Sequence, residues 1–168
     1  VGSEMCIRDS RGTDGIEYIL QATEELPVDV RFMLPSCVPA TPLDESGANL
    51  DYRAIDSFYD HPRVQGLAEM MNFVGIINGD SQVVEKIVAS QAHHKKIDGH
   101  APGLTGNDLN AYIAAGVYSD HECSNVEEAM AKLERGQFIM IREGTAARNL
   151  EALAPLPVSY THLTLPTT

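Results

Sequence analysis

The sequence predicts an α/β fold: a partial (β/α)8 TIM-type barrel built from about five consecutive parallel strand-helix units. Three observations carry the prediction. Short apolar runs of strand type alternate five times with helical patterns over short connections, the signature of parallel strands joined by helical crossovers. Each of those runs ends in a reactive side chain, and in barrels of this kind the C-terminal strand ends surround one site. No GxGxxG or GxxxxGKS/T phosphate loop occurs. An open doubly wound sheet would instead gather its ligand at a single switch point.

The elements follow in order. Over 12–26, Ile16, Ile19, Leu20 and Thr23 fall at helical spacing, with Asp14 near the start and Pro27 closing the segment. Residues 28–34 (VDVRFML) form the first β-prone run, stopped by Pro35. Residues 50–59 are amphipathic and end before His61-Pro62, and 64–71 are apolar again. Over 80–92, Val83, Val84, Ile87 and Val88 share a helix face, and the strand 96–100 follows. Residues 108–115 read as a helix ended by Gly116, with 117–121 as the next strand. Asn125 caps a helix over 125–135, with Glu127 and Glu128 in its first turn as the helix dipole favours. Residues 137–142 (QFIMIR) form the fifth strand, and Thr145 starts a last helix running to Leu153.

Two flanks stand apart from this pattern. Residues 1–10 (VGSEMCIRDS) and 158–168 (VSYTHLTLPTT) read as translated sequencing adapter, since MCIRDS and VSYTHL translate opposite strands of one transposon end. The expected domain is therefore 11–157, a segment cut on both sides, with Pro157 at the junction. At 43% hydrophobic and 21% charged residues the chain has globular composition, and no apolar run is long enough to span a membrane. A net charge of −12 makes it a poor partner for nucleic acid. With Cys6 in a flank, Cys37 and Cys123 remain, too few for a disulfide framework, which points to a reducing, cytoplasmic setting.

The strand ends carry Ser36, Glu69, His100, His121, and Arg142 with Glu143. Glu69, His100 and His121 are each separated by about one strand-helix unit. Adjacent strands lie about 4.8 Å apart, so side chains at neighbouring strand tops can converge on a metal with bonds of about 2.0–2.2 Å. Two imidazoles and a carboxylate suit Zn, Mn or Fe(II) better than Ca or Mg. The alternative is that each is a hydrogen-bonded polar residue at a strand end. Asp98, Asp120, Glu122, Arg142 and Glu143 sit near the same rim and are candidates to contact substrate or orient a ligand, with structural ion pairs as the alternative. Ser36 and Cys37 before Pro39 also suit a turn, Cys123 has no base at telling spacing, and Met70 and Met71 suit core or pocket wall. The pair His93-His94 reads as solvated, and His61 before proline as a turn.

The stretches FMLPSCVPATP (32–42), GLAEMMNF (66–73), INGD (77–80), IDGHAPGLTGNDLNAYIAAG (97–116), SDHEC (119–123) and IMIREGTAARNLEAL (139–153) resemble the bacterial adenine deaminases of the amidohydrolase superfamily. The resemblance covers nearly all of 11–157 and departs at Val74, where proline is expected after Asn72-Phe73. It implies a metal-dependent barrel, of which this segment would be the third to seventh strands, hydrolysing adenine to hypoxanthine and ammonia by attack of metal-activated hydroxide at C6. It also implies that Glu69 bridges two divalent ions, Mn2+ or Fe2+ with Zn2+ as an alternative, and that His100 and His121 are ligands. The family's His-x-His and its strand-eight Asp are absent from this chain, so the segment alone is expected to turn over negligibly. A related barrel hydrolase acting on another cyclic amidine or amide is the competing expectation. The implied partner is a small molecule, with homo-oligomerisation left open.

Overall fold

The computed structural model describes residues 11–39, 43–145 and 147–156. Helix α1 (Thr13–Ala22) buries Ile16 and Leu20 and leads to strand β1 (Phe32–Leu34). The first strand is shorter than 28–34 because its leading residues face solvent: Val28 is exposed, and Arg31 closes an exposed ion pair onto Asp29 at 2.8 Å. Helix α2 (Tyr52–Asp56) is capped by Asp51, which accepts the Ala54 amide at 2.9 Å, and passes into a 3-10 turn (Ser57–Asp60). Strand β2 (Val64–Met70) follows.

Next comes a helix outside the sequence expectation, α3 (Phe73–Asn78). Six residues are too few to display a 3.6-residue period, but its punctuation is plain: Asn72 accepts the Gly75 amide at 2.8 Å, and Gly79 ends it at φ 69°. Helix α4 (Ser81–Ala92) is capped by Asp80 and leads to β3 (Lys96–Gly99). Helix α5 (Gly106–Ala114) precedes β4 (Ser119–Asp120); α6 (Val126–Leu133), capped by Asn125, precedes β5 (Phe138–Ile139). The last helix, α7, runs only from Leu150 to Leu153. The helix does not start at Thr145 as expected: Glu143 and Arg148 form an antiparallel bridge, and the Gly144 amide donates to the Ala147 carbonyl at 3.0 Å.

Strands β1, β2 and β3 pair in parallel, as do β4 and β5. A parallel bridge between Ile97 and Val117, with the Tyr118 amide on the Ile97 carbonyl at 2.8 Å, joins the two sheets. Every strand therefore neighbours the next one in sequence, with no reversal of order. That is the arrangement of an arc of a (β/α) barrel rather than of a doubly wound sheet, whose order reverses at its switch point. Among the described residues the arc does not close. One core cluster, with Leu34, Leu67 and Ile97 at its centre, underlies β1–β3; a smaller one of Cys123, Ala129, Ile139, Ile141, Leu153 and Leu156 underlies the C-terminal units. No described helix is long and apolar enough to cross a membrane.

The arc is tightest at Gly99, the last residue of β3. A Cβ there would collide with the Ser119 carbonyl and lie 2.7 Å from Val117 Cγ1 and 3.0 Å from the Tyr112 hydroxyl. Gly99→Ala is expected to cost about 1–3 kcal/mol, the usual penalty of overpacking, read as a lower urea midpoint of the full-length protein. An unchanged midpoint would contradict this close approach.

Candidate metal centre

Parallel strands in sequential order bring their C-terminal ends to one edge, and the trio stands there. Glu69 is the penultimate residue of β2, while His100 and His121 immediately follow β3 and β4. Glu69 Oε2 lies 2.9 Å from His121 Nε2 and 3.4 Å from His100 Nδ1. The two imidazoles meet edge to face with centroids 5.4 Å apart. One donor atom from each of the three residues lies within 4.8 Å of the others, and among the described residues this is the one His/Cys/Asp/Glu group so gathered. The side chains are partly sheltered, 25%, 27% and 14% exposed for Glu69, His100 and His121.

The trio's electrostatics favour a cation. His100 and His121 together hold the Glu69 carboxyl far below the usual carboxylate range, against the opposing pull of burial. Burial works to lower the His121 imidazole, but Glu69 outweighs it and raises it above its ordinary value. His100 Nδ1 is buried without a hydrogen-bond partner. A buried polar atom left so is costly and rare. A divalent ion between the three side chains would supply the missing partner, and the N, N, O donor set fits Zn, Mn or Fe(II).

The other rim candidates separate into groups. Glu122 Oε1 lies 3.6 Å from His100 Nδ1 and 3.5 Å from His121 Nε2, and Arg142 Nη1 pairs with the same oxygen at 2.7 Å. Both therefore join the trio, with Arg142 offsetting a second carboxylate beside Glu69. Asp98 accepts the Gly99 amide at 2.9 Å and the Ser119 hydroxyl, which binds it between β3 and β4. Asp120 is fully buried against Lys132 at 2.9 Å, behind the rim. Glu143 is 48% exposed and faces Arg148 at 3.8 Å, apart from the trio. Ser36 donates to the Glu69 carbonyl, and Cys37 is a partly buried free thiol. Burial pushes the Cys123 thiol up to about 12, which leaves it inert. Away from the rim, His61 accepts the Arg63 amide in a turn; His93 is not simply solvated, since it stacks on Tyr59 at 5.0 Å and meets Asp56 at 3.1 Å.

Sequence reasoning missed the polar residues that brace the rim from behind. Lys132 Nζ donates to the Ala101 carbonyl at 2.8 Å, to Asp120 at 2.9 Å and to Glu128 at 2.8 Å. Asp120 in turn accepts the amides of Ala101 and Glu122, and Glu128 those of Gly103 and Ser124. This network fastens the turns after His100 and His121 to each other. Asn149 continues the pattern, donating to the Cys123 carbonyl at 3.1 Å while it accepts the Arg142 amide. The one available signal was Glu128-Lys132 at i,i+4, on a helix face that also carries buried Ala129.

Comparison with known proteins agrees with this geometry. The profile of the amidohydrolase family matches residues 6–162, reaching into both flanks that read as adapter, which lie outside the described residues. The chain is 52% identical over 150 residues to an adenine deaminase of Desulfatibacillum aliphaticivorans, covering 89% of this chain and 26% of that protein. It is 53% identical over 146 residues to an adenine deaminase of Kosmotoga olearia, covering 86% and 25%. Against adenine deaminase 2 of Carboxydothermus hydrogenoformans it is 48% identical over 155 residues, covering 92% and 27%. The chain thus spans about a quarter of the length of these curated relatives. With a family match over almost its whole length and a convergent Glu/His/His trio at its strand ends, the chain belongs to the amidohydrolase family.

Proposed function

We propose that this chain is the part of an adenine deaminase that supplies strands three to seven of a closed (β/α)8 barrel, with residues 11–157 native and the flanks not. The reaction is hydrolysis of adenine to hypoxanthine and ammonia, a step of purine salvage and adenine catabolism in the cytoplasm. The observation that carries the reading is the Glu69, His100 and His121 trio with its orphaned His100 Nδ1. Glu69, His100 and His121 would hold a divalent metal centre, with Mn2+ or Fe2+ as the proposed ions: Glu69 would supply carboxylate oxygen, and His100 and His121 one neutral nitrogen each. Residues elsewhere in the whole protein would supply the remaining ligands.

When bound, such ions supply a nucleophile at neutral pH by lowering the pKa of water from about 15.7 toward 7. The chain's own residues do the rest. Glu69 keeps a negative charge between the two imidazoles, and the partial burial of all three raises the strength of that field. Glu122 and Arg142, paired at 2.7 Å on the same edge, set a polar boundary that a purine edge can meet with donor and acceptor. Departure of ammonia requires a proton delivered to the exocyclic amino group of adenine.

Chelation is the direct check. The full-length protein is expected to lose adenine turnover on treatment with a chelator and regain it on Mn2+ or Fe2+ add-back, with adenosine, cytosine and hydantoins poor substrates. Activity that survives complete metal removal, or that prefers one of the comparison substrates, would overturn the assignment.

A further inference from the structure

Helix α5 sends one side chain under the metal centre. Tyr112 is fully buried, and its hydroxyl has partners on two strands: it donates to the Met70 carbonyl at 2.9 Å and accepts the His100 amide at 2.9 Å. Met70 directly follows Glu69, so a single oxygen atom links the backbones that carry two of the three candidate ligands. Its position matters because Met70 and Gly99 are the last paired residues of β2 and β3. Beyond them no ladder hydrogen bond holds the two strand ends in register, and the phenol takes over that task. The bare Cα of Gly99 makes room, since a Cβ there would lie 3.0 Å from the hydroxyl.

We infer that Tyr112 is a positioning residue: through its hydroxyl it sets the separation of Glu69 and His100 at ligating distance without itself touching metal or substrate. The inference rests on the metal-centre reading of the trio. Residues that orient ligands from behind typically govern metal affinity by about 10–100-fold. Tyr112→Phe keeps the ring and removes only the bridging atom.

The test uses the full-length protein, stripped with chelator and titrated with Co2+, reading the dissociation constant and the visible ligand-field spectrum. Leu109→Ala, a fully buried residue of the same helix whose side chain makes no hydrogen bond, is the comparison. It leaves a cavity and destabilises more than loss of one hydroxyl. Tyr112→Phe is expected to weaken Co2+ binding about 10–100-fold and to shift the spectrum, while Leu109→Ala leaves both unchanged. Unaltered binding in Tyr112→Phe, or equal losses in the two variants, overturns the inference while leaving the metal centre intact. A wild-type protein that binds no Co2+ overturns the metal centre and this inference together. If Tyr112→Phe does not fold, amide hydrogen exchange of the wild type decides: a His100 amide as slow as those of the β3 core supports the tether, and fast exchange refutes it.

Discussion

Glu69→Gln is expected to empty the metal centre and lower adenine turnover by roughly 10^3-fold, the loss that follows when several kcal/mol of metal-supplied stabilisation disappear. The substitution preserves shape and removes charge. Glu69 stands 2.9 Å from His121 and 3.4 Å from His100, and it is the one carboxylate of the trio. A neutral amide there offers one oxygen and no charge, so it would hold a divalent cation weakly. The fold should survive, because Glu69 is a quarter exposed and its backbone is held independently, through Ser36 on its own carbonyl and Tyr112 on that of Met70. Glu127→Gln, on the exposed first turn of α6, should leave turnover and metal content unchanged. Metal content by elemental analysis, measured with turnover on both variants, checks the pair; a fully metallated, active Glu69→Gln would remove Glu69 from the centre.

The largest expected effect on stability lies behind the rim. Lys132→Met is predicted to cost about 3–5 kcal/mol, because it strands the buried carboxylates of Asp120 and Glu128 without their shared cation. Against a typical total of about 5–15 kcal/mol this approaches global unfolding. Adding Glu128→Gln should recover part of the loss, since the amide oxygen can still accept the Gly103 or Ser124 amide while one uncompensated charge is gone. The pH dependence of this network has two signs. Burial works to raise the Glu128 pKa, but Lys132 and the backbone amides outweigh it and hold the pKa below its ordinary value, so its contribution is full above the unfolded value near 4.3 and fades as pH falls through the lowered one. Burial works to lower the Lys132 pKa, but its two carboxylate partners raise it, so its contribution is full below the unfolded value near 10.4 and fades as pH rises through the raised one. Denaturant unfolding of wild type and Lys132→Met should give a difference that is widest at neutral to mildly alkaline pH, narrows as pH falls because the variant's stranded carboxylates take up protons, and narrows again as pH rises through the raised Lys132 value. A Lys132→Met protein as stable as wild type would contradict the network.

What could be read from residues alone follows the range over which each signal acts. Alternation of strand and helix, the Asn125 cap and the Gly116 stop are local, and the structure carries all of them. The convergence of Glu69, His100 and His121 was legible because parallel strands deliver their ends to one edge whatever the details of packing. Strand lengths were not, since a strand ends where its neighbour stops pairing: residues 117–121 and 137–142 keep only Ser119–Asp120 and Phe138–Ile139 as a ladder. Nor were the roles of Tyr112, Lys132 and Asn149, because each bonds to backbone groups on a distant segment. Asp120 illustrates the limit: beside His121 in sequence it reads as a rim residue, yet strand alternation turns it into the core, where Lys132 meets it.

The central claim is that one divalent centre is shared by three side chains from three strands. Anomalous diffraction at the metal edge, on crystals of the Mn2+-loaded full-length protein, tests it most directly. The expected result is one or two metal peaks at this site, with Glu69, His100 and His121 each placing an oxygen or nitrogen about 2.0–2.2 Å from a peak. A loaded protein whose metal lies elsewhere, or that binds through fewer than these three residues, would contradict it.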